Sequence, residues 1–203
     1  MYRAKFLLFL PIVLMLSVAG CGPSEQLYDG QPLSAFVGGI DATDPALREY
    51  ATNSLIAYAP QDPRIVPALV TAMKGGSYNA ANMLAQVGPT SEGKGEVVIA
   101  LAEAAKSPKN SVSLRFAATN ALPKFGADAK PAVPALIAML GEPDEDMQVQ
   151  ATETLNKLYD TAKEAVPALV KVAKDNSKPR AQRYALAALK DIDKATYNKV
   201  TQP

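Results

Sequence analysis

The chain has 203 residues, with 21 lysine and arginine residues against 20 acidic residues and a formal net charge of +1. It contains no histidine, no tryptophan and a single cysteine. A nearly neutral charge gives no electrostatic basis for binding nucleic acid. The lack of histidine excludes a Ser-His-Asp triad, a Cys-His pair and any imidazole metal ligand.

The first 20 residues have the composition of an export signal. Arg3 and Lys5 precede an apolar run from Phe6 to Val18, which is shorter than the roughly 20 residues that a membrane-spanning helix needs. The run ends in Val18-Ala19-Gly20-Cys21, which resembles the lipobox of bacterial lipoproteins. The resemblance implies that residues 1–20 are a signal peptide and that Cys21 carries the lipid. The alternatives are a periplasmic protein cut at an Ala-x-Ala-like site, which would leave a free thiol, and an uncleaved anchor.

The resemblance also implies an address in the bacterial cell envelope, with the lipid in a membrane on its periplasmic side. Gly22, rather than an acidic residue, follows the cysteine and is similar to an outer-membrane sorting signal. Residues 21–32 are polar and rich in proline and glycine, and we expect them to be the lipidated cysteine and a flexible tether. A repeat domain over residues 33–195 and a C-terminal tail over residues 196–203 complete the predicted organisation.

Charge is distributed unevenly along the mature chain. Residues 22–60 carry five acids and one base, whereas residues 163–203 carry nine bases and four acids. Such ends are typical of the solvated caps of an elongated protein. The alternative is a docking surface for an acidic partner or for lipid headgroups.

One short phrase recurs through the rest of the chain. Val-Pro-Ala-Leu begins at Val66, Val133 and Val166, and degenerate copies begin at Val98 and Leu33. The intervals are 33, 32, 35 and 33 residues. A period in this range predicts a stack of similar supersecondary units, that is, a solenoid.

Each unit has the pattern of two helices. The phrase places proline in the first helical turn, where its missing N–H is tolerated. A second segment in each unit carries alanine and leucine four residues apart, which puts both on one helix face. These pairs, called the seam below, are Ala51/Leu55, Ala80/Leu84, Ala118/Leu122, Ala151/Leu155 and Ala185/Leu189.

The second unit is shorter than the others. Its phrase and its seam alanine are 14 residues apart, against 18 to 20 elsewhere, and the interval contains Gly75-Gly76. We expect a truncated turn or a truncated helix there, and a local bend or soft spot in the stack.

The units resemble HEAT repeats, in the short form of phycobilisome-lyase-like proteins. Leu47-Arg48-x-x-Ala51-x-x-x-Leu55 and Leu114-Arg115-x-x-Ala118-x-x-x-Leu122 carry the resemblance, while glutamine replaces the arginine at positions 148 and 182. The resemblance implies an all-α fold, a right-handed α-solenoid of about five HEAT-like helical hairpins. It also implies structural arginines that pair with an acidic turn, with Asp44 as a candidate partner of Arg48.

In HEAT arrays the second helices usually line the concave side. The resemblance therefore implies a binding surface, for which the candidate residues are Arg48, Thr52, Arg115, Thr119, Gln148, Thr152 and Gln182. We expect no catalytic residue, no metal and no cofactor. The acidic run Glu142–Asp146 lacks the spacing of a calcium loop, and Gly88–Gly95 lacks the Gly-Lys-Ser/Thr ending of a phosphate-binding loop.

These features favour a non-enzymatic scaffold, lipid-anchored in the envelope, that binds a protein or peptide partner. They indicate no nucleic acid and no small-molecule substrate. One alternative is a lyase-like or chaperone-like helper for chromophore attachment, related to the phycobilisome-lyase proteins by resemblance. Another is an envelope protein that binds a polymer such as peptidoglycan.

Overall fold

The computed structural model describes Leu27, Tyr28 and residues 30–202. Cys21 and the predicted signal peptide lie outside the described residues. In the described part the chain forms five helical hairpins in sequence order. They are α1 (Leu33–Gly39) with α2 (Pro45–Tyr58), α3 (Ile65–Lys74) with α4 (Tyr78–Val87), α5 (Lys94–Lys106) with α6 (Val112–Ala121), α7 (Val133–Leu140) with α8 (Glu145–Leu158), and α9 (Val166–Ala173) with α10 (Pro179–Ile192). The predicted all-α solenoid is confirmed.

The proline of the repeat phrase lies in the first turn of its helix. Pro134 and Pro167 occupy the first turn of α7 and α9, where a proline costs no hydrogen bond. The second helices begin with side-chain caps in four repeats: Asp44, Ser77, Ser111 and Asp144 accept hydrogen bonds from backbone N–H groups of the first turn. The local sequence therefore determines where these second helices begin.

The seam is the core of the array. Its five alanines and five leucines are each at most 1 % exposed. The small alanine lets neighbouring helices approach closely, and the leucine fills the space beside it. Each hairpin contacts mainly the next one, so the buried surface is continuous from Phe36 to Ile192.

Contact between second helices alternates along the array. α4 packs closely on α6, and α8 packs closely on α10, whereas α2 touches α4 only lightly and α6 touches α8 only lightly. A stretch of 3₁₀ helix, Leu122–Ala132, joins α6 to α7 and contacts both α5 and α8. The second helices thus form two tight pairs and leave α2 more open to solvent.

Ordered elements flank the five hairpins on both sides. Part of the predicted tether is a β-hairpin, in which β1 (Leu27–Tyr28) pairs antiparallel with β2 (Gln31–Pro32) around Gly30 at φ +79°. Tyr28 is buried because its ring packs on the first repeat. At the other end the predicted tail contains α11 (Lys194–Thr201), which packs on α10.

Candidate functional site

Four of the seven residues predicted to line a binding surface are buried instead. Arg115, Thr119, Gln148 and Thr152 are 7 %, 0 %, 5 % and 0 % exposed. They lie in the middle of the array, on α6 and α8, where neighbouring helices cover them. The prediction of an accessible surface is wrong for these four residues.

The two threonines satisfy their own hydroxyls inside the core. Thr119 Oγ1 donates to the Arg115 carbonyl at 2.7 Å, and Thr152 Oγ1 donates to the Gln148 carbonyl at 2.7 Å. A hydroxyl bonded to the carbonyl four residues earlier can be buried without a lost hydrogen bond. This local bonding explains why polar residues tolerate an apolar surrounding.

The arginine and glutamine positions hold the end of the preceding helix or its turn. Arg48 Nη1 donates to the Ala42 carbonyl at 2.8 Å, and Arg115 Nε donates to the Ala105 carbonyl at 2.8 Å. Gln148 and Gln182 do the same for the carbonyls of Glu142 and Ala173 at 2.8 and 3.1 Å. Helix ends expose carbonyls that lack partners. Glutamine therefore replaces arginine here because either side chain supplies the donor.

Arg115 has a second partner in the following repeat. Its Nη2 lies 2.5 Å from Glu142 Oε1, and both side chains are largely buried, at 8 % and 23 % exposed. The expected pairing with an acidic turn exists, but the acid belongs to the next turn along the chain. Asp44, the expected partner of Arg48, instead caps α2 through the Ala46 N–H at 2.9 Å.

The accessible members of the predicted surface lie near the two ends of the array. Arg48 and Thr52 line a groove between α2 and α4, called the α2–α4 groove, with a volume of about 440 Å³. Its floor is apolar, because Ile40 and Met83 are buried there, and its α4 wall carries amides. The amide residues are Asn79, Asn82 and Gln86.

The short second repeat shapes this groove. α3 and α4 are joined by only three residues, of which Gly76 adopts φ +108°, a conformation open to glycine. The predicted truncated turn is therefore confirmed. Ser77 and Asn79 donate to Asp41 Oδ1 at 2.9 and 3.0 Å, which ties the start of α4 to the first repeat. Farther along the two helices the light contact leaves the groove open.

Sequence reasoning missed the amide wall, although a signal for it exists. Two residues after the seam alanine, the first three repeats each carry an exposed asparagine: Asn53, Asn82 and Asn120. Asn120 Oδ1 accepts from Gln150 at 2.8 Å. An asparagine at one register position in consecutive repeats presents amides along a line of second helices.

A second groove lies at the opposite end. Gln182 lines it together with Lys174, Leu186 and Val200, between α9, α10 and α11, and its volume is about 390 Å³. Gln182 Nε2 donates to the Ala173 carbonyl and to Asn176 Oδ1, so its N–H donors are already used. This groove offers less recognition chemistry than the α2–α4 groove.

An ion pair fastens the N-terminal hairpin. Asp62 is 4 % exposed and accepts from Arg64 Nη2 at 2.7 Å, while Arg64 Nη2 also donates to Tyr28 Oη at 3.2 Å. The hydrogen bonds from Arg64 hold the pKa of the Asp62 carboxyl below its usual value, against the opposing effect of burial. The Tyr28 ring packs on the Tyr58 ring with 4.5 Å between centroids and an angle of 38° between the ring planes.

The acidic run in the fourth repeat has structural partners. Asp144 caps α8, and Glu145 Oε1 and Asp146 Oδ1 both accept hydrogen bonds from Arg180 of the next repeat. Within the described residues no group of three or more histidine, cysteine or acidic side chains is arranged to hold a metal ion. Across that same part of the chain no helix combines the length and apolar character needed to cross a membrane.

Known proteins share this architecture. Residues 100–190 match the family model of HEAT repeats. The complex of CpcE and CpcF of phycocyanin lyase from a Nostoc species is similar in structure, with a TM-score of 0.55 and 23 % identity over 90 % of this chain and 73 % of that one. An engineered protein gives a TM-score of 0.48 with 19 % identity over 82 % of this chain and 80 % of that one. No curated protein matches.

These likenesses concern the fold. The HEAT-repeat match over residues 100–190 and the likeness to the phycocyanin lyase complex agree with an α-solenoid of HEAT-like hairpins, which is the fold class predicted from the sequence.

Proposed function

We propose that this protein is a lipid-anchored scaffold of the bacterial cell envelope and that it binds an extended segment of a partner protein in the α2–α4 groove. The observation that carries the proposal is the groove itself, with an apolar floor and an amide wall. Binding sites combine apolar surface with a few convergent polar groups in this way.

The amide wall suits a polypeptide main chain. Each asparagine or glutamine side chain offers both a carbonyl acceptor and N–H donors, which match the two polar groups of a peptide unit. The amide residues Asn79, Asn82 and Gln86 all lie on the α4 side of the groove, so an extended segment bound along α4 would meet more than one of them.

The anchoring half of the proposal rests on sequence. The order of basic residues, apolar run, small residues and Cys21 supports lipidation, and several acyl chains give durable attachment where one alone would be marginal. With Leu27 already in the folded part, only five residues separate it from Cys21. A segment of six Cα steps spans at most about 21 Å when fully extended, so a lipid on Cys21 would hold the first repeat close to the bilayer.

We propose binding rather than catalysis. The sequence has no histidine, and its single cysteine is the proposed lipid site.

Photo-crosslinking in intact membranes tests the function. A photoreactive residue in place of Asn82 is expected to capture a partner, whereas the same residue in place of Ile99, which is 53 % exposed on the first helix of the third repeat, is expected not to. Equal capture from both positions, or none from Asn82, would contradict the groove. A Cys21→Ser variant should leave the membrane fraction, and its full retention there would contradict the anchor.

A further inference from the structure

The last repeat and α11 form a basic end of the array. Residues 166–202 carry eight bases and three acids, whereas residues 30–165 carry eleven bases and fifteen acids. Of the eight bases, only Arg180 forms an ion pair within the described residues, with Asp146 of the preceding repeat. The other seven leave positive charge at this end that no carboxylate of the described chain pairs with.

Several of these bases surround the groove between α9, α10 and α11, which is called the C-terminal groove here. Lys174 lines the groove itself and is exposed. Arg183 and Lys199 are exposed and directly follow or precede the lining residues Gln182 and Val200. The rim of the groove is therefore positively charged from all three helices or their ends.

The floor of the C-terminal groove is apolar and only partly covered. Leu186 of α10 and Val200 of α11 line it, and both side chains are partly exposed. α11 packs on α10 without burying any of its own residues, so it does not close the groove. Because the N–H donors of Gln182 are used, recognition here depends on charge and apolar contact. Solvation alone explains exposed bases, but it does not explain an open apolar groove between them.

The C-terminal groove lies at the edge of the array opposite the N-terminal hairpin. Tyr28 of that hairpin packs on Tyr58, where α2 ends, and accepts a hydrogen bond from Arg64, just before α3. The hairpin therefore lies at the edge where second helices end and first helices begin. Lys174 directly follows α9, at the edge where first helices end. An eight-residue helix such as α9 separates the two edges by about 12 Å.

The edge that carries the N-terminal hairpin continues along the stack. The connections between repeats contact one another in order, from Gly88–Thr90 to Leu122–Ala132 and on to Tyr159–Ala165. With a lipid on Cys21, this edge would face the bilayer. The C-terminal groove would then open away from the lipid, toward proteins.

We propose that the C-terminal groove binds an acidic segment of a protein partner. Carboxylates of the segment pair with the exposed lysine and arginine side chains of the rim, and its apolar side chains contact Leu186 and Val200. Such complementary charge supplies specificity, and the apolar floor supplies buried area. The site is separate from the α2–α4 groove and does not depend on it. Only the choice of a protein over anionic lipid headgroups rests on the proposed anchor.

Peptide probes test the site. The purified full chain in uncharged detergent micelles is titrated with acetyl-Glu-Glu-Leu-Glu-Glu-Leu-amide and with the same peptide carrying glutamine in place of each glutamate. An environment-sensitive fluorescent amino acid in place of Thr201, which is exposed and lines the groove, reports binding. We expect the acidic probe to bind at least tenfold more tightly than the glutamine probe, and its affinity to fall as salt rises. Equal binding of the two probes, or binding of neither, would overturn the proposal.

Paired charge reversals localise the binding. Lys174→Glu with Lys199→Glu should weaken the acidic probe at least tenfold. Lys74→Glu with Lys109→Glu is the matched control, because these lysines are also exposed and change the net charge by the same amount. The control should bind within twofold of the parent protein. An equal loss from both pairs would show an effect of net charge alone and would overturn the proposal.

Vesicles distinguish a protein from lipid headgroups. The same fluorescent protein is reconstituted in phosphatidylcholine vesicles with and without phosphatidylglycerol. The reporter at position 201 should respond to the acidic probe in phosphatidylcholine and should not respond to phosphatidylglycerol. A response to phosphatidylglycerol without any probe would overturn the choice of a protein. Crosslinking from Asn82 concerns the other groove, so the proposed function and this inference can fail separately.

Discussion

Two residues 33 positions apart show how strongly the repeat dictates local geometry. Gly126 has φ +54° and ψ −126°, and Tyr159 has φ +51° and ψ −120°. Each lies eight residues after the seam alanine of its repeat. Only glycine adopts this conformation without cost, so Tyr159 is held in a strained backbone by the packing around it.

Replacing Tyr159 with glycine should therefore stabilise the protein. The Tyr159 side chain is 54 % exposed, so little packing is lost, and relief of strain should raise the free energy of unfolding by about 1 kcal/mol. Chemical denaturation measures the change. Gly126→Ala is the reciprocal control, since its Cβ would meet nothing within 4 Å and its cost is conformational alone. A destabilised Tyr159→Gly would show that the tyrosine contributes packing that exceeds its strain.

The burial of individual polar residues at the site could not be predicted from the sequence. A threonine one residue after a seam alanine is half-buried at Thr52 but fully buried at Thr119 and Thr152. The three have the same local sequence frame, but α6 and α8 each have second helices on both sides, whereas α2 lies at the end of the array and has only α4 beside it. The position of a repeat within the stack leaves no signal in the local sequence around the threonine.

At the scale of elements, the hairpin of β1 and β2 covers the first repeat and is called the N-terminal cap here. The sequence predicted a flexible tether in this segment. The segment from Leu27 to Pro32 is too short and too polar to show a strand pattern, so its order comes from tertiary contacts. Tyr28 supplies the ring, and Asp62 with Arg64 supplies the polar attachment. The seam, in contrast, was fully visible in the sequence, because alanine and leucine four residues apart can only share one helix face.

The ion pair of this cap should make stability depend on acid. Because the folded pKa of Asp62 is lowered, its contribution is complete above the unfolded value of about 3.9 and is lost as pH falls through the lower folded value. Asp62→Asn should lower the free energy of unfolding at pH 7 by roughly 1.5 kcal/mol, the low end for hydrogen bonds to a charged group, because the Arg64 side chain is 44 % exposed and screened by solvent.

Thermal unfolding of both proteins between pH 7 and pH 2 measures this effect. The stability difference should stay constant down to about pH 4 and shrink as the pH falls further, toward the lowered pKa of Asp62. Asp160→Asn is the control, since its pair with Lys163 is exposed and joins residues one helical turn apart. A gap between wild type and Asp62→Asn that stays constant down to pH 2 would contradict the assignment.

At the scale of the molecule, the array is a chain of nearest-neighbour interfaces, and its weakest interface decides where it opens. The second repeat has the shortest turn, two consecutive glycines and light contact between its second helix and α2. The local stability of the stack should therefore be lowest near this repeat.

Hydrogen exchange should locate this soft spot. Amides in residues 72–80 are expected to exchange at least tenfold faster than those in the middle of α6 and α8, which corresponds to about 1.4 kcal/mol of local opening free energy. Mass spectrometry of peptic fragments gives the comparison. Uniform protection through all five repeats would show that the short turn costs the array nothing.

The alternation of tight and light contacts between second helices has a mechanical consequence. α2 touches α4 only lightly, whereas the Arg115–Glu142 ion pair and the 3₁₀ stretch Leu122–Ala132 add contacts between the third and fourth repeats. We therefore expect tension between the ends of the array to widen the α2–α4 joint first. A partner segment bound across the α2–α4 joint would resist this widening, so the stiffness of the array would rise as the groove is occupied.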